Sequence, residues 1–157
     1  MKTAIGILTL AAFLALSSFA FAARGASDPA IGTWTLNAAK SSGAAVPKSD
    51  TRTYAAAEGG LKVTIKRVSA DSKESSIQTA YKFDGKDYPI SGVQQYDTVN
   101  AKRIDSHTVE ITQKLAGKVV GTTMRTVAKD GKTLTLVTKS TDATGQPVST
   151  TLVFDRQ

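Results

Sequence analysis

After Trp34 the chain reads as a succession of short runs in which apolar and polar residues alternate at period two, with no run of helical period. Such alternation suits a strand with one buried face, because successive side chains point to opposite sides of a pleated sheet. In GLKVTIKRV, Leu61, Val63 and Ile65 share one face and Lys62, Thr64 and Lys66 the other. SIQTAYKF groups Ile77, Thr79, Tyr81 and Phe83, and HTVEITQKL sets Val109, Ile111 and Leu115 against Glu110, Thr112 and Lys114. KTLTLVTK turns Leu134 and Leu136 inward, while VSTTLVFDR places Leu152 and Phe154 on the face that also carries Arg156.

Short turn signals separate these runs: Glu58-Gly59-Gly60, Asp84-Gly85-Lys86, Ala116-Gly117-Lys118, Asp130-Gly131-Lys132 and Asp142-Ala143-Thr144-Gly145. Asp-Gly and its relatives supply the positive backbone angles of tight hairpins, and strands joined so briefly are antiparallel neighbours. The pattern predicts about ten strands, near 31–36, 50–57, 60–68, 75–84, 87–91, 95–104, 107–116, 117–128, 132–140 and 146–156. Frequent threonine suits half-buried strands. A meander of this kind hides its apolar face and removes its edges by rolling up. The expected fold is therefore all-β: a single antiparallel up-and-down barrel of eight to ten strands. A two-sheet sandwich would need longer connections. The longest gap, NAAKSSGAAVPKS from Asn37 to Ser49, has room for one short turn near Ala38–Ser41.

Upstream, Met1-Lys2, an apolar run from Ala4 to about Phe21 and the triplet Ala20-Phe21-Ala22 assemble the parts of a secretory signal peptide. The rival is a membrane anchor, since about 18 apolar residues just span a bilayer. On the signal-peptide reading, 1–22 is removed near Ala22, 23–30 is a flexible N-terminal segment, and 31–157 is the barrel domain. The chain has no cysteine. It can form no disulfide and carry no lipidated N-terminal Cys, so a soluble periplasmic or secreted protein held by burial and hydrogen bonds is expected, without stable membrane insertion. Cleavage would lower the formal charge from +7 to +6 by removing Lys2.

The one tryptophan of the chain stands in Gly32-Thr33-Trp34 at the start of the first predicted strand, and Arg156 closes the last strand after Phe154. Trp34 shares parity with Leu36, and Arg156 with Leu152 and Phe154, so both can point into one interior if the first and last strands are neighbours. An arginine over an indole is worth roughly 0.5–2 kcal/mol. Gly32 would allow the close approach. These residues resemble the signature of the calycin superfamily, which includes the lipocalins and fatty-acid-binding proteins. The GTWTLNAAKS opening and the Asp-Gly-Lys turns also resemble small exported bacterial lipocalin-like proteins. The resemblance implies that Trp34 packs across the closed end of the barrel beneath Arg156, with Gly32 completing that closure. The chain departs from the lipocalins in lacking a central Thr-Asp-Tyr, and from the fatty-acid-binding proteins in a gap after the first strand too short for a helical lid.

Candidate chemistry is sparse. His107, the only histidine, stands at a predicted hairpin turn, where an imidazole is usually solvated, and the sequence has no G-x-S-x-G and no cluster at metal-ligand spacing. Asp71, Asp84, Asp87, Asp130 and Asp142 fall at turns, where Asp binds its own backbone. A non-enzymatic protein without cofactor or metal is expected. The sequence pI near 9.7 raises nucleic-acid binding. Scattered outward lysines and scarce aromatics speak against it.

Three arginines share the parity of inward apolar residues: Arg67 after Ile65, Arg103 after Val99 and Ala101, and Arg125 after Thr123 if Val119 faces in. Buried arginine is costly unless paired. One reading makes Arg67, Arg103 and Arg125 partners of a ligand carboxylate, with Tyr81 and Phe83 lining the apolar part. The other puts them at the barrel mouths, where the guanidinium reaches water. The expected function is that of a monomeric binder of a small apolar or amphipathic molecule. The alternative is a structural or interaction module with a filled barrel, acting through its basic exterior on anionic cell-envelope components. The two differ in whether the interior holds a cavity on the order of 300 Å³ open to solvent.

Overall fold

Among the described residues, eleven strands account for nearly all of the regular structure, and their limits follow the alternating runs. The computed structural model describes residues 27–44, 46–142 and 144–157; the predicted signal peptide lies outside the described residues. The strands are β1 (Gly32–Leu36), β2 (Ser42–Gly43), β3 (Ser49–Ala57), β4 (Gly60–Val68), β5 (Glu74–Lys82), β6 (Asp87–Ser91), β7 (Thr98–Arg103), β8 (Thr108–Leu115), β9 (Lys118–Val127), β10 (Thr133–Thr141) and β11 (Pro147–Arg156). A 3₁₀ turn, Ala38–Lys40, fills part of the long gap, capped by the Asn37 side chain accepting from the Lys40 N–H.

Each strand from β3 onward pairs antiparallel with the next, and β1 lies between β3 and β11, closing the circuit. The register sets Trp34 opposite Arg52 on one side and Arg156 on the other, and Leu36 opposite Phe154. The fold is a closed up-and-down barrel of ten strands. β2 stands outside that circuit, paired only to Thr150 and Thr151 of β11. Inside lie Leu61, Val63 and Ile65 of β4, Ile77 and Tyr81 of β5, Val109 of β8, and Leu134 and Leu136 of β10, all buried.

Three expectations are corrected. Residues 28–30, placed in a flexible N-terminal segment, are packed: Asp28 and Ala30 are buried beneath the barrel. Leu115, expected inward, is 42% exposed, because the β8–β9 pairing shifts register between Gln113 and Lys114. Such a shift turns every residue beyond it to the other face. Val119, whose facing inward was the condition for an inward Arg125, is 62% exposed at the same hairpin, yet Arg125 is fully buried.

The ladder is uneven. β4 and β5 pair at nine positions, but β5 and β6 pair at only two, Gln78 with Ser91 and Thr79 with Ile90. Gly92 follows this narrow seam at φ +81°, and a Cβ there would stand 1.9 Å from the Ser76 carbonyl oxygen. Glycine is required on both counts. No described helix is long and apolar enough to cross a membrane.

Candidate functional site

One end of the barrel is closed by the chain that precedes it. The strap from Asp28 to Ile31 runs beneath Trp34, whose Nε1 donates to the Ala30 carbonyl at 2.7 Å. The Arg156 guanidinium lies over the indole at 4.5 Å and donates to the carbonyls of Pro29, Ile31 and Gly131 at 2.6, 3.0 and 2.7 Å. A Cβ on Gly32 would meet Arg156 Nη1 at 2.8 Å, and the residue sits at φ +134°. Gly32, Trp34 and Arg156 thus meet at this end, with the indole fully buried.

Above the strap, Asp28 receives Arg125 Nη2 on both carboxylate oxygens, at 3.0 and 2.9 Å, and Arg103 Nη2 at 2.9 Å. Burial opposes its ionisation. Arg125, the Ala30 N–H and Arg103 together outweigh that cost and hold the Asp28 carboxyl below its ordinary 3.8. Arg103 also stacks on the Phe83 ring at 4.1 Å, and Phe83 meets Tyr81 edge to face at 5.8 Å.

A second charged cluster occupies the far end. Asp50 is fully buried and accepts from Arg52 Nε and Nη2, each at 3.0 Å, and from Arg67 Nε at 2.9 Å. The Arg67 side chain keeps 28% of its surface exposed, whereas that of Arg52 lies deeper, over the Phe154 ring at 5.0 Å. Alternation explains the placement: Asp50, Arg52 and Tyr54 share one parity of β3, and Thr51 and Thr53 the other.

Between the two clusters the interior is not filled. A partly open cavity of about 60 Å³ remains, its polar wall made by Arg52, Tyr54, Tyr81, Gln113 and Thr123. Its apolar wall includes Val63, Ile65, Ile90, Val99, Ile111 and Leu136. Gln113 donates to the Thr123 hydroxyl at 3.2 Å, and Thr123 shares a hydrogen bond with Thr138 at 2.8 Å. The Tyr81 hydroxyl is buried without a partner among the described residues, as are Nε and Nη1 of Arg125. Burial pushes the Tyr81 phenol well above its usual range, so at neutral pH it remains a neutral donor. Arg125, which does not line the cavity, lies over the Tyr54 ring at 5.3 Å.

Of the five residues singled out as ligand contacts, only Tyr81 lines the cavity. Arg103, Arg125 and Phe83 gather at the strapped end, where the carboxylate that meets both arginines is the chain's own Asp28. Arg67 stands at the opposite rim on Asp50. Arg52, Asp50 and Tyr54 were legible in the alternation of SDTRTY, though polar inward positions do not announce a buried face. Asp28 carries no local signal, because its role depends on strands distant in sequence. His107 lies in a turn with its Nδ1 hydrogen-bonded to the Ser106 hydroxyl at 2.8 Å.

The outer rim of β3, β4 and β5 carries a shallower groove of about 360 Å³, lined by Thr51, Lys66, Arg67, Glu74 and Ser76 among others. No protein-family model matches the chain, and comparison with curated proteins finds no match.

Proposed function

We propose that this chain is an exported, non-enzymatic binding protein of calycin type that holds a small apolar or amphipathic molecule inside its barrel. The observation that carries the reading is the unfilled interior, apolar on one wall and polar on the other, with the Tyr81 hydroxyl buried and unpartnered among the described residues. Binding pockets combine these ingredients: apolar surface for affinity and a few convergent polar groups for orientation. Ten-strand closure, with Arg156 over Trp34 beside Gly32, supports the calycin assignment.

Size narrows the ligand. At about 60 Å³ the cavity is well short of the roughly 300–1,000 Å³ that encloses a drug-sized molecule. The reading therefore applies to a compact ligand, not a lipid chain. The same shortfall favours the second reading, a filled barrel acting through its basic exterior on anionic envelope components, for which the rim groove with Lys66 and Arg67 is the best-placed surface.

Native mass spectrometry of the purified protein and of an Ile111→Trp variant separates the two. Interior binding predicts a specific adduct on the parent that is lost when the larger ring fills the cavity. If the parent carries no adduct and both proteins bind anionic polymers equally, the exterior reading stands instead.

A further inference from the structure

We infer that the rim groove of β3, β4 and β5 is a binding site for a phosphorylated sugar, its phosphoryl group on Lys66 and Arg67 and its hydroxyls among the serines and threonine around them; this rests on the second, exterior reading and names its ligand chemistry.

Three observations converge on it. The first is charge. Buried Asp50 is shared by Arg52 and Arg67, so one guanidinium charge of that trio is left over. Arg67 is the member that reaches the groove, with 28% of its side chain exposed, and its Nη1 has no hydrogen-bond partner among the described residues. The register sets Lys66 between Thr51 and Ser76, and its ammonium makes no ion pair among the described residues. Glu74 is the one carboxylate lining the groove among the described residues, and it too has no ion pair there. The groove therefore keeps a positive excess. A phosphoryl group engages both cations, the guanidinium through its planar fork and the ammonium as a point charge.

The second is the set of hydroxyls. Ser49 and Thr51 of β3 and Ser75 and Ser76 of β5 flank β4 across the ladder, and none of the four hydroxyls bonds to another described residue. A hydroxyl both donates and accepts, whereas an ionised Glu74 only accepts. A bare phosphate would leave Glu74 facing an anion. A sugar phosphate offers that carboxylate a hydroxyl donor instead, while its phosphoryl oxygens accept from the cations.

The third is the character of the walls. Among the described residues, Val68 is the one apolar side chain lining the groove, and no aromatic ring lines it. An acyl chain would find little to cover it, and a nucleobase no ring to stack on. The volume of about 360 Å³ falls within the roughly 300–1,000 Å³ of small-molecule sites. The open side of the groove admits either a free sugar phosphate or a phosphorylated unit of a glycan.

The test is a ¹H–¹⁵N NMR titration of the purified protein at low salt with glucose 6-phosphate, glucose and inorganic phosphate. Glucose 6-phosphate is expected to shift the resonances of Lys66, Ser75 and Ser76 and to bind at least about ten-fold more tightly than either of the others. Lys66→Gln, a change at an exposed position, is expected to keep the parent's melting temperature and to weaken glucose 6-phosphate at least about ten-fold. Equal binding of glucose overturns the phosphoryl contact, and equal binding of phosphate overturns the sugar. Shifts confined to other strands, or a Lys66→Gln variant that binds as tightly as the parent, overturn the groove as the site. Phosphomannan that displaces glucose 6-phosphate supports a glycan-borne unit as the source; failure to displace it overturns that source in favour of the free ester. If neither phosphate probe binds while dextran sulfate does, this site falls and the exterior reading stands; if dextran sulfate also fails to bind, both fall. Should Lys66→Gln not fold, Ser76→Ala decides in its place.

Discussion

Trp34 illustrates how much one side chain can depend on its surroundings. Its indole is fully buried, its N–H is committed to Ala30 and its face is covered by Arg156. Replacement by Ala is expected to lower stability by about 3–5 kcal/mol, the range for large buried aromatics. A urea denaturation midpoint equal to the parent's would contradict this closure. Asp28 gives a prediction in pH. Its folded carboxyl titrates below its unfolded one, so the unfolded chain takes up the proton first as acid is added. Its contribution is fully present above about pH 4 and is lost as the pH falls through the folded value. Asp28→Asn, measured by urea midpoint from about pH 5 to about pH 2, is expected to be less stable at the upper end and to lose less stability on acidification than the parent. Parallel curves would show that Arg125 and Arg103 do not depend on that charge.

At the scale of elements, the strands were legible because a half-buried ladder writes period two into the chain, and the Asp-Gly turns mark where it folds back. The carboxylates of Asp84, Asp130 and Asp142 indeed accept from N–H groups two residues on, at 3.1, 3.0 and 2.8 Å. The β8–β9 hairpin was misjudged at its tip because a register shift depends on cross-strand geometry that no local pattern encodes. There Ala116 adopts φ +49°, unfavourable for a residue with a Cβ, while its N–H donates to Asp97 at 2.9 Å. Ala116→Gly is expected to raise stability by about 0.5–1 kcal/mol, the relief of that conformation less the entropy lost by a freer unfolded chain. An unchanged or lower melting temperature would show that Asp97 already compensates the strain. Within the closed circuit of ten strands the β5–β6 seam has the fewest register pairs, two. Hydrogen exchange should find the amides of β6 among the fastest of any barrel strand. Protection equal to that of β4 would contradict this.

For the molecule as a whole, closure was legible from parity: Trp34 and Arg156 pointing inward makes sense only if the first and last strands touch, which they do. The interior was read only in part. Inward arginines were visible, but not which carboxylate each would meet, because Asp28 and Asp50 reach their partners through the three-dimensional arrangement of the barrel. That distinction moved the candidate site from three arginines at the ends to a cavity wall containing Arg52, Tyr54 and Tyr81.

The contact between Arg156 and the strap joins groups 125 residues apart along the chain. Synthesis runs from the N-terminus, so β1 is made before any of its partners and cannot be locked until β11 has followed. Until then the growing sheet has two open edges, one at β1 and the other at the newest strand, both able to pair with a neighbouring chain. The final aromatic-cationic clasp is thus also a timing device, because the barrel can be sealed only after its last strand has been delivered.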